Sequence, residues 1–180
     1  MSEETFVLDT YEVKNLIRDR KVIKLRNYLT EMYDADIAQL MDDLNDKVMA
    51  LLLFRMLPKV KAVEVFSYLS IDNQREIINA ISEHELPYIV DNIFFDNVID
   101  MIEEMPAEFV NRVLINISPD KRKLVNQFLN YHEESAGGLM TIEYVRLNER
   151  MTVKEALDHI REIGLQKETV YTCYITTIHE

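Results

Sequence analysis

The sequence is short of glycine, cysteine and long apolar runs, and each shortage excludes a class of structure. Among its 180 residues are three glycines and one cysteine. The longest unbroken apolar run, residues 48–54, is far shorter than the ~20 residues that a membrane-spanning helix requires. The acidic start, residues 1–4, lacks the basic and apolar regions of a signal peptide. We therefore expect a soluble, cytosol-facing chain.

The single cysteine, Cys173, excludes an internal disulfide and a cysteine-rich metal site, which indicates a reducing compartment. It lies in a β-type run, where we expect it to be a buried packing residue. The four histidines are scattered without ligand spacing. No nucleophile elbow, P-loop, dinucleotide fingerprint or zinc motif is present. We therefore do not expect an enzyme.

Basic residues are scarce relative to acidic ones. The chain has 20 lysines and arginines against 32 aspartates and glutamates, a net charge of -12. Nucleic acids and anionic membranes both require a basic surface, so neither is an expected partner. Cations are better candidates, although an acidic surface often serves only to keep a protein soluble.

What the sequence does contain is a period of twelve residues. Apolar residues recur at this spacing from residue 57 to residue 129: Leu57, Leu69, Ile81, Ile93, Met105, Ile117 and Leu129. Six repeats begin at residues 46, 58, 70, 82, 94 and 106. When the first residue of each repeat is counted as offset zero, offsets seven, eight and eleven are always apolar. This spacing is one helical stripe per repeat. A fixed period indicates stacked units that cannot bury their faces alone.

Start signals accompany the repeats. Of the six positions at this spacing from 58 to 118, all but Phe94 are serine or proline, which favour the first positions of a helix: Pro58, Ser70, Ser82, Pro106 and Ser118. Ser82 and Glu85 have the spacing of a capping box, and Pro87 should be tolerated in a first turn. Less regular helical patterns at residues 11–17, 22–33 and 37–44 precede the repeats. The sequence thus predicts a mainly α fold, a superhelical stack of short helices.

A change of architecture follows residue 132. Two of the three glycines, Gly137 and Gly138, are adjacent, and β-type runs at residues 144–147 and 169–175 flank a helical pattern at residues 152–163. The adjacent glycines predict a sharp turn or a close backbone approach, with a hinge as the alternative. We predict a helical domain at residues 1–131, a linker at 132–141 and an incomplete α/β module at 142–180.

Carboxylates gather at offsets two and six, which lie opposite the apolar stripe and one helical turn apart. Asp96 and Asp100 occupy both offsets in one repeat, Asp72 and Glu76 in another, and Glu64 takes offset six in a third. Magnesium needs only one or two carboxylates because it retains several waters. These side chains are candidate ligands, although outward carboxylates are usually just solvated.

The sequence Glu-Ser-Ala-Gly-Gly-Leu-Met-Thr at residues 134–141 resembles the segment that joins the cytosolic N domain of MgtE magnesium transporters to their first CBS (cystathionine-β-synthase-type) domain. The similarity extends back through Leu-Pro-Lys-Val-Lys-Ala-Val-Glu-Val at residues 57–65. It extends forward through Thr-Val-Lys-Glu-Ala-Leu at residues 152–157, and covers residues 30–175 in all. Residues 176–180 do not continue the CBS pattern.

The resemblance implies the sensor region of a homodimeric transporter, at the cytosolic face of the cell membrane. In that family, weakly bound regulatory Mg2+ between the N and CBS domains closes the pore, and the N-domain carboxylates of this interface match Glu64, Asp96 and Asp100. The partners would be the remaining CBS and membrane domains of the same polypeptide. The alternative is a non-enzymatic helical scaffold whose acidic face binds a basic protein, since the stack also resembles the flagellar motor switch protein loosely.

Overall fold

The computed structural model describes residues 8–132 and 134–177. Within these residues there are twelve α-helices and two β-strands. The helices are α1 Thr10–Arg18, α2 Val22–Glu31, α3 Asp34–Asp43, α4 Lys47–Met56, α5 Lys59–Tyr68, α6 Ile71–Ala80, α7 Leu86–Asn92, α8 Phe95–Glu104, α9 Ala107–Asn116, α10 Pro119–Phe128, α11 Ala136–Leu139 and α12 Val153–Ile163. The strands are β1 Tyr144–Asn148 and β2 Thr169–Thr176, and a 3-10 turn spans Gly164–Gln166.

The chain divides into two compact units. The first contains the residues up to Ile93 and Met101–Lys121. The second contains Phe94–Asp100 and the residues from Arg122 onward. In the described part of the chain, no helix is both long enough and apolar enough to cross a membrane.

The twelve-residue period sets both the helix starts and the core. Helices α4, α5 and α6 begin at Lys47, Lys59 and Ile71, and α8, α9 and α10 resume the same spacing. Offset seven is buried in all six repeats, at Leu53, Val65, Ile77, Ile89, Met101 and Val113. Offset eleven is also buried in all six, at Leu57, Leu69, Ile81, Ile93, Met105 and Ile117. The prediction of a mainly α fold of short stacked helices is confirmed.

Several helices of the first unit pack against the helix two places further along the chain. Contacts join α3 with α5, α4 with α6, α5 with α7, and α7 with α9. Helices of seven to ten residues do not persist alone in water, so burial of their apolar stripes supplies most of their stability. Phe66, fully buried on α5, meets Phe54 of α4 edge to face at 6.2 Å between ring centroids.

Helix α7 departs from the period because a hydrogen-bonded turn precedes it. The Ser82 backbone N–H and hydroxyl both donate to Glu85 Oε2 at 2.9 Å, and the Glu85 N–H donates to Ser82 Oγ at 3.3 Å. This reciprocal pairing is the predicted capping box. It closes a turn, however, and α7 begins only at Leu86 with Pro87 as its second residue. Proline is accepted there because first-turn N–H groups have no intrahelical partner.

Offset four contains the one buried polar side chain among the described residues. Gln74, 8% exposed, replaces the apolar residue that the other repeats carry at this offset. Its Nε2 donates to the Phe66 carbonyl at 2.9 Å. Because the amide is hydrogen-bonded, its burial does not carry the full desolvation penalty of an unpaired group.

Side chains from neighbouring helices satisfy the helix ends. Asp42 accepts hydrogen bonds from the Ser70 N–H at 3.1 Å, the Ser70 hydroxyl at 2.7 Å and Asn73 Nδ2 at 2.6 Å. Ser70 is the N-cap of α6 as predicted, but its own side chain makes no cap bond. At C-termini, Lys121 Nζ donates to the carbonyls that end α7, and Arg112 Nη2 donates to the Ile81 carbonyl at 2.9 Å.

The second unit contains a β1–α12–β2 crossover. The two strands pair in parallel, with Val145 opposite Cys173. Thr152 and Glu155 form a capping box at the start of α12. The prediction that Cys173 is a buried packing residue is wrong, because the side chain is only half-buried. Within the described residues β2 pairs only with β1, so most of its side chains stay exposed.

Candidate functional site

Asp96 and Asp100 lie one turn apart on α8. Asp96 stands in the first turn and is half-buried, whereas Asp100 is exposed. The helix dipole favours the negative charge of Asp96 in the first turn. Two carboxylates four residues apart, however, repel each other by about 0.2–0.5 kcal/mol. A cation beside both carboxylates would remove this repulsion.

Asp96 differs from a solvated surface carboxylate. Its Oδ1 is buried and has no hydrogen-bond partner among the described residues. The helical phase predicts that offsets two and six face solvent, and for Asp96 this is only partly correct. A buried carboxylate oxygen without a donor is unfavourable. Oxygen is also the ligand that Mg2+ prefers, and a carboxylate at this position suits the ion.

The start of α8 is capped by a residue that the sequence analysis did not assign. Glu143 Oε2 accepts a hydrogen bond from the Phe95 N–H at 2.5 Å. Glu143 follows the Gly-Gly segment directly before β1, so the linker end contacts the helix that carries Asp96 and Asp100. A cap supplied 48 residues along the chain leaves no local sequence signal.

Aromatic contacts join the same helix to the glycine segment. The Phe95 ring meets the Phe128 ring edge to face at 4.7 Å between centroids, and Phe128 meets Tyr131 at 5.4 Å. A Cβ built on Gly137 would lie 2.7 Å from Tyr131 Cγ. Gly137 therefore provides the close approach that the sequence predicts, and its neighbour is the Tyr131 ring.

We expect Gly137→Ala to lower the free energy of unfolding by about 1–2 kcal/mol, because the added methyl overlaps the base of the Tyr131 ring. Chemical denaturation followed by circular dichroism measures the loss. Leu139→Ala is the control in the same short helix, because the Leu139 side chain is 78% exposed. Equal stability of the two variants would contradict the close contact.

Glu64 lies on α5 in the first compact unit and is half-buried. Burial, and then the charge of Asp34, raise the pKa of the Glu64 carboxyl above its usual value. Asp34 Oδ1 is itself buried and is held by the charge of Lys61 Nζ at 3.0 Å without a hydrogen bond. Lys61 Nζ also donates to the Met32 carbonyl at 2.6 Å. Glu64 thus faces a second acid, which favours a proton or another cation beside it.

The raised pKa of Glu64 has a consequence for stability. When folding raises the pKa of a carboxyl, its contribution to the free energy of unfolding is fully present only below the unfolded-state pKa. That contribution is lost as the pH rises through the folded-state pKa. We therefore expect Glu64→Gln to be more stable than the wild type at pH 7, with a difference that vanishes below about pH 4.5. Urea denaturation between pH 4 and pH 7.5 measures it, with the exposed Glu83→Gln as control. A constant difference across this range would contradict the assignment.

The outward acids Asp72 and Glu76 have cationic neighbours. Asp72 Oδ1 lies 2.9 Å from Arg75 Nη2, and Glu76 pairs with Lys47. Among the described residues, no group of three or more His, Cys, Asp or Glu side chains is arranged to hold a metal. The fold brings Asp96 and Asp100 together as a pair on one helix. A pair of carboxylates suits a cation that keeps most of its water.

Comparison of the chain with known proteins identifies its family. Residues 32–134 match the model of the MgtE intracellular N domain. The magnesium transporter MgtE of Thermus thermophilus is 36% identical over 155 residues, which are 84% of this chain and 34% of that protein. The magnesium transporter MgtE of Bacillus subtilis is 23% identical over 175 residues, 91% of this chain and 39% of that protein. The chain therefore spans little more than a third of the length of these relatives.

Two solved structures share the fold. The cytosolic domain of the Mg2+ channel MgtE, crystallised in complex with ATP, aligns with a TM-score of 0.76 and 32% identity, over 93% of this chain and 68% of that one. The soluble part of a magnesium transporter aligns with a TM-score of 0.79 and 18% identity, over 94% and 66% of the two chains, and supports the fold alone. The chain belongs to the MgtE family, with residues 32–134 corresponding to its intracellular N domain.

Proposed function

We propose that this chain is the magnesium-sensing regulatory region of an MgtE-type magnesium transporter. Mg2+ bound between the acidic surface of residues 1–131 and a CBS domain that begins near residue 142 favours a closed pore. The chain itself has no enzymatic role, and the full transporter is a homodimer at the cell membrane whose sensor faces the cytosol. The similarity to magnesium transporters from two bacteria supports this assignment.

One observation carries the magnesium-binding part of the proposal. Asp96 and Asp100 share one face of α8, and Asp96 Oδ1 lacks a hydrogen-bond donor among the described residues. A hydrated Mg2+ needs only one or two such carboxylates. Glu64 would contribute from α5, where the neighbouring Asp34 charge already favours a cation. The affinity should be weak, which suits a sensor of cellular magnesium.

The mechanism is a shift between two populations of the full transporter. Without Mg2+, acidic surfaces on the two domains repel each other, and the separated arrangement is favoured. Bound Mg2+ neutralises the carboxylates and favours the closed arrangement by its differential affinity for the two. The Glu143 cap and the edge-to-face contacts of the Phe95, Phe128 and Tyr131 rings connect α8 to the segment that leads into β1. This connection gives ion binding at α8 a direct mechanical link to the linker.

Magnesium titration of the chain followed by amide NMR shifts tests the binding site. We expect saturable shifts on α8 around Asp96 and Asp100 and on α5 around Glu64. Asp96→Asn combined with Asp100→Asn should abolish the shifts on α8. The control is Asp72→Asn, whose carboxylate pairs with Arg75, and it should respond like the wild type. Equal responses of the wild type and the double variant on α8 would overturn the assignment of these two residues.

A further inference from the structure

A pocket of about 470 Å3 lies in the first compact unit, among α4, α5, α7 and the turn that precedes α7. Its floor is apolar and includes Phe54, Leu57 and Ile89. Its rim is basic and includes Arg55, Lys59 and His84. Pockets that bind small molecules have volumes of roughly 300–1,000 Å3, an apolar lining and a few convergent polar groups. This pocket has the volume and the convergent polar groups, and apolar side chains form part of its lining.

The basic rim is unexpected in a chain with a net charge of -12. In the described residues, the cationic sides of ion pairs include Arg18, Lys21, Lys47, Lys61, Arg75 and Arg161, and none of these lies at the rim of the pocket. Thus Arg55, Lys59 and His84 make no ion pair in the described part of the chain. Arg55 Nη2 donates to the Ala80 carbonyl at 2.9 Å, a neutral acceptor. Lys59 Nζ lies 5.4 Å from the centroid of the Tyr88 ring.

The one acid in the pocket is already engaged. Glu85 Oε2 accepts hydrogen bonds from the Ser82 N–H and hydroxyl at 2.9 Å each. These bonds, and then the charges of Arg55 and Lys59, hold the pKa of the Glu85 carboxyl below its usual value. Glu85 therefore offsets one of the two permanent positive charges at the rim, and a net positive charge remains above the apolar floor.

We propose that this pocket binds a small organic anion with one carboxylate or phosphate group on an aromatic or compact apolar body. The acidic group would lie between Lys59 and Arg55, and the body would cover Phe54 and Leu57. The positive charges of Lys59 and Arg55 attract the acidic group, and the apolar side chains of the pocket match the body, so both parts of the ligand find a complementary surface. The site is independent of the magnesium carboxylates and goes beyond the proposed function.

Binding of three small probes to the chain, followed by NMR, tests the proposal. Benzoate and phenyl phosphate carry the two acidic groups, and benzyl alcohol is the neutral counterpart. We expect saturable shifts confined to residues 54–89 for at least one anion, at concentrations up to about 10 mM. The tighter of the two anions identifies the acidic group. Benzyl alcohol should bind at least about tenfold more weakly, because it cannot pair with the basic rim.

Two lysine variants distinguish binding of the anion in the pocket from general attraction of the anion to basic side chains. Lys59→Gln should weaken binding of the anion at least about fivefold, since Lys59 makes no hydrogen bond that its loss would break. Lys14→Gln, an exposed lysine on α1, is the matched control and should bind like the wild type. The proposal is overturned if no anion gives saturable shifts, if benzyl alcohol binds as well as the anions, or if Lys59→Gln and Lys14→Gln bind equally.

Discussion

Phe128→Ala should lower the free energy of unfolding by about 3–5 kcal/mol, the range typical of removing a buried aromatic ring. Phe128 is 7% exposed and stands between two other rings, those of Phe95 and Tyr131. Its loss leaves a cavity at the centre of this row and removes two edge-to-face contacts, each worth about 0.5–1.5 kcal/mol beyond the buried area. The second compact unit, to which all three rings belong, should lose most stability.

Chemical denaturation and hydrogen exchange measure the effect of Phe128→Ala. Phe128→Leu keeps an apolar side chain in the cavity and should cost about half as much. Leu129→Ala is the surface control, because Leu129 is 38% exposed although it continues the twelve-residue period. If Phe128→Ala and Leu129→Ala destabilise the chain equally, the row of rings does not stabilise the second unit.

Lys121→Met should cost about 2–3 kcal/mol, because it leaves carbonyl groups at the end of α7 without their charged donor. Lys121 Nζ donates to the carbonyls of Val90 at 2.8 Å, Asp91 at 3.2 Å and Ile93 at 2.6 Å. Methionine keeps the apolar stem of the side chain, so the loss reports mainly the hydrogen bonds. A positive charge at a helix C-terminus also interacts favourably with the helix dipole.

The matched control for Lys121→Met is Lys123→Met, an exposed lysine of the same helix. We expect it to change the free energy of unfolding by less than about 0.5 kcal/mol, as most surface substitutions do. Urea denaturation compares the two variants. Amide exchange on α7 should rise in Lys121→Met alone, and unchanged exchange there would contradict the capping role.

The twelve-residue period predicts the helical array because the same positions of each repeat are buried in the core. The six repeats all bury offsets seven and eleven, so apolar spacing alone locates their core. The exception, α7, begins late because the Ser82 and Glu85 side chains close a turn before it. Both residues signal a helix start from sequence, but their spacing alone cannot distinguish a capped helix from a capped turn.

The caps and the candidate site could be predicted only in part. Asp96 and Asp100 follow from helical phase, since their offsets place them opposite the stripe. The burial of Asp96 Oδ1, the Glu143 cap and the Asp42 cap depend on segments distant in sequence, and no local pattern indicates them. The incomplete burial of Cys173 has a similar origin, because strand composition does not reveal how many neighbours a strand acquires.

Loss of magnesium-dependent closure is the most direct test of the proposed sensor. The measurement is Mg2+ flux through the full-length transporter in liposomes while Mg2+ on the sensor side is raised. Flux through the wild type should fall as sensor-side Mg2+ rises, and Asp72→Asn should behave in the same way. With Glu64→Gln, Asp96→Asn and Asp100→Asn combined, flux should persist at concentrations that close the wild type. Closure of this triple variant at the same Mg2+ concentration as the wild type would contradict the account.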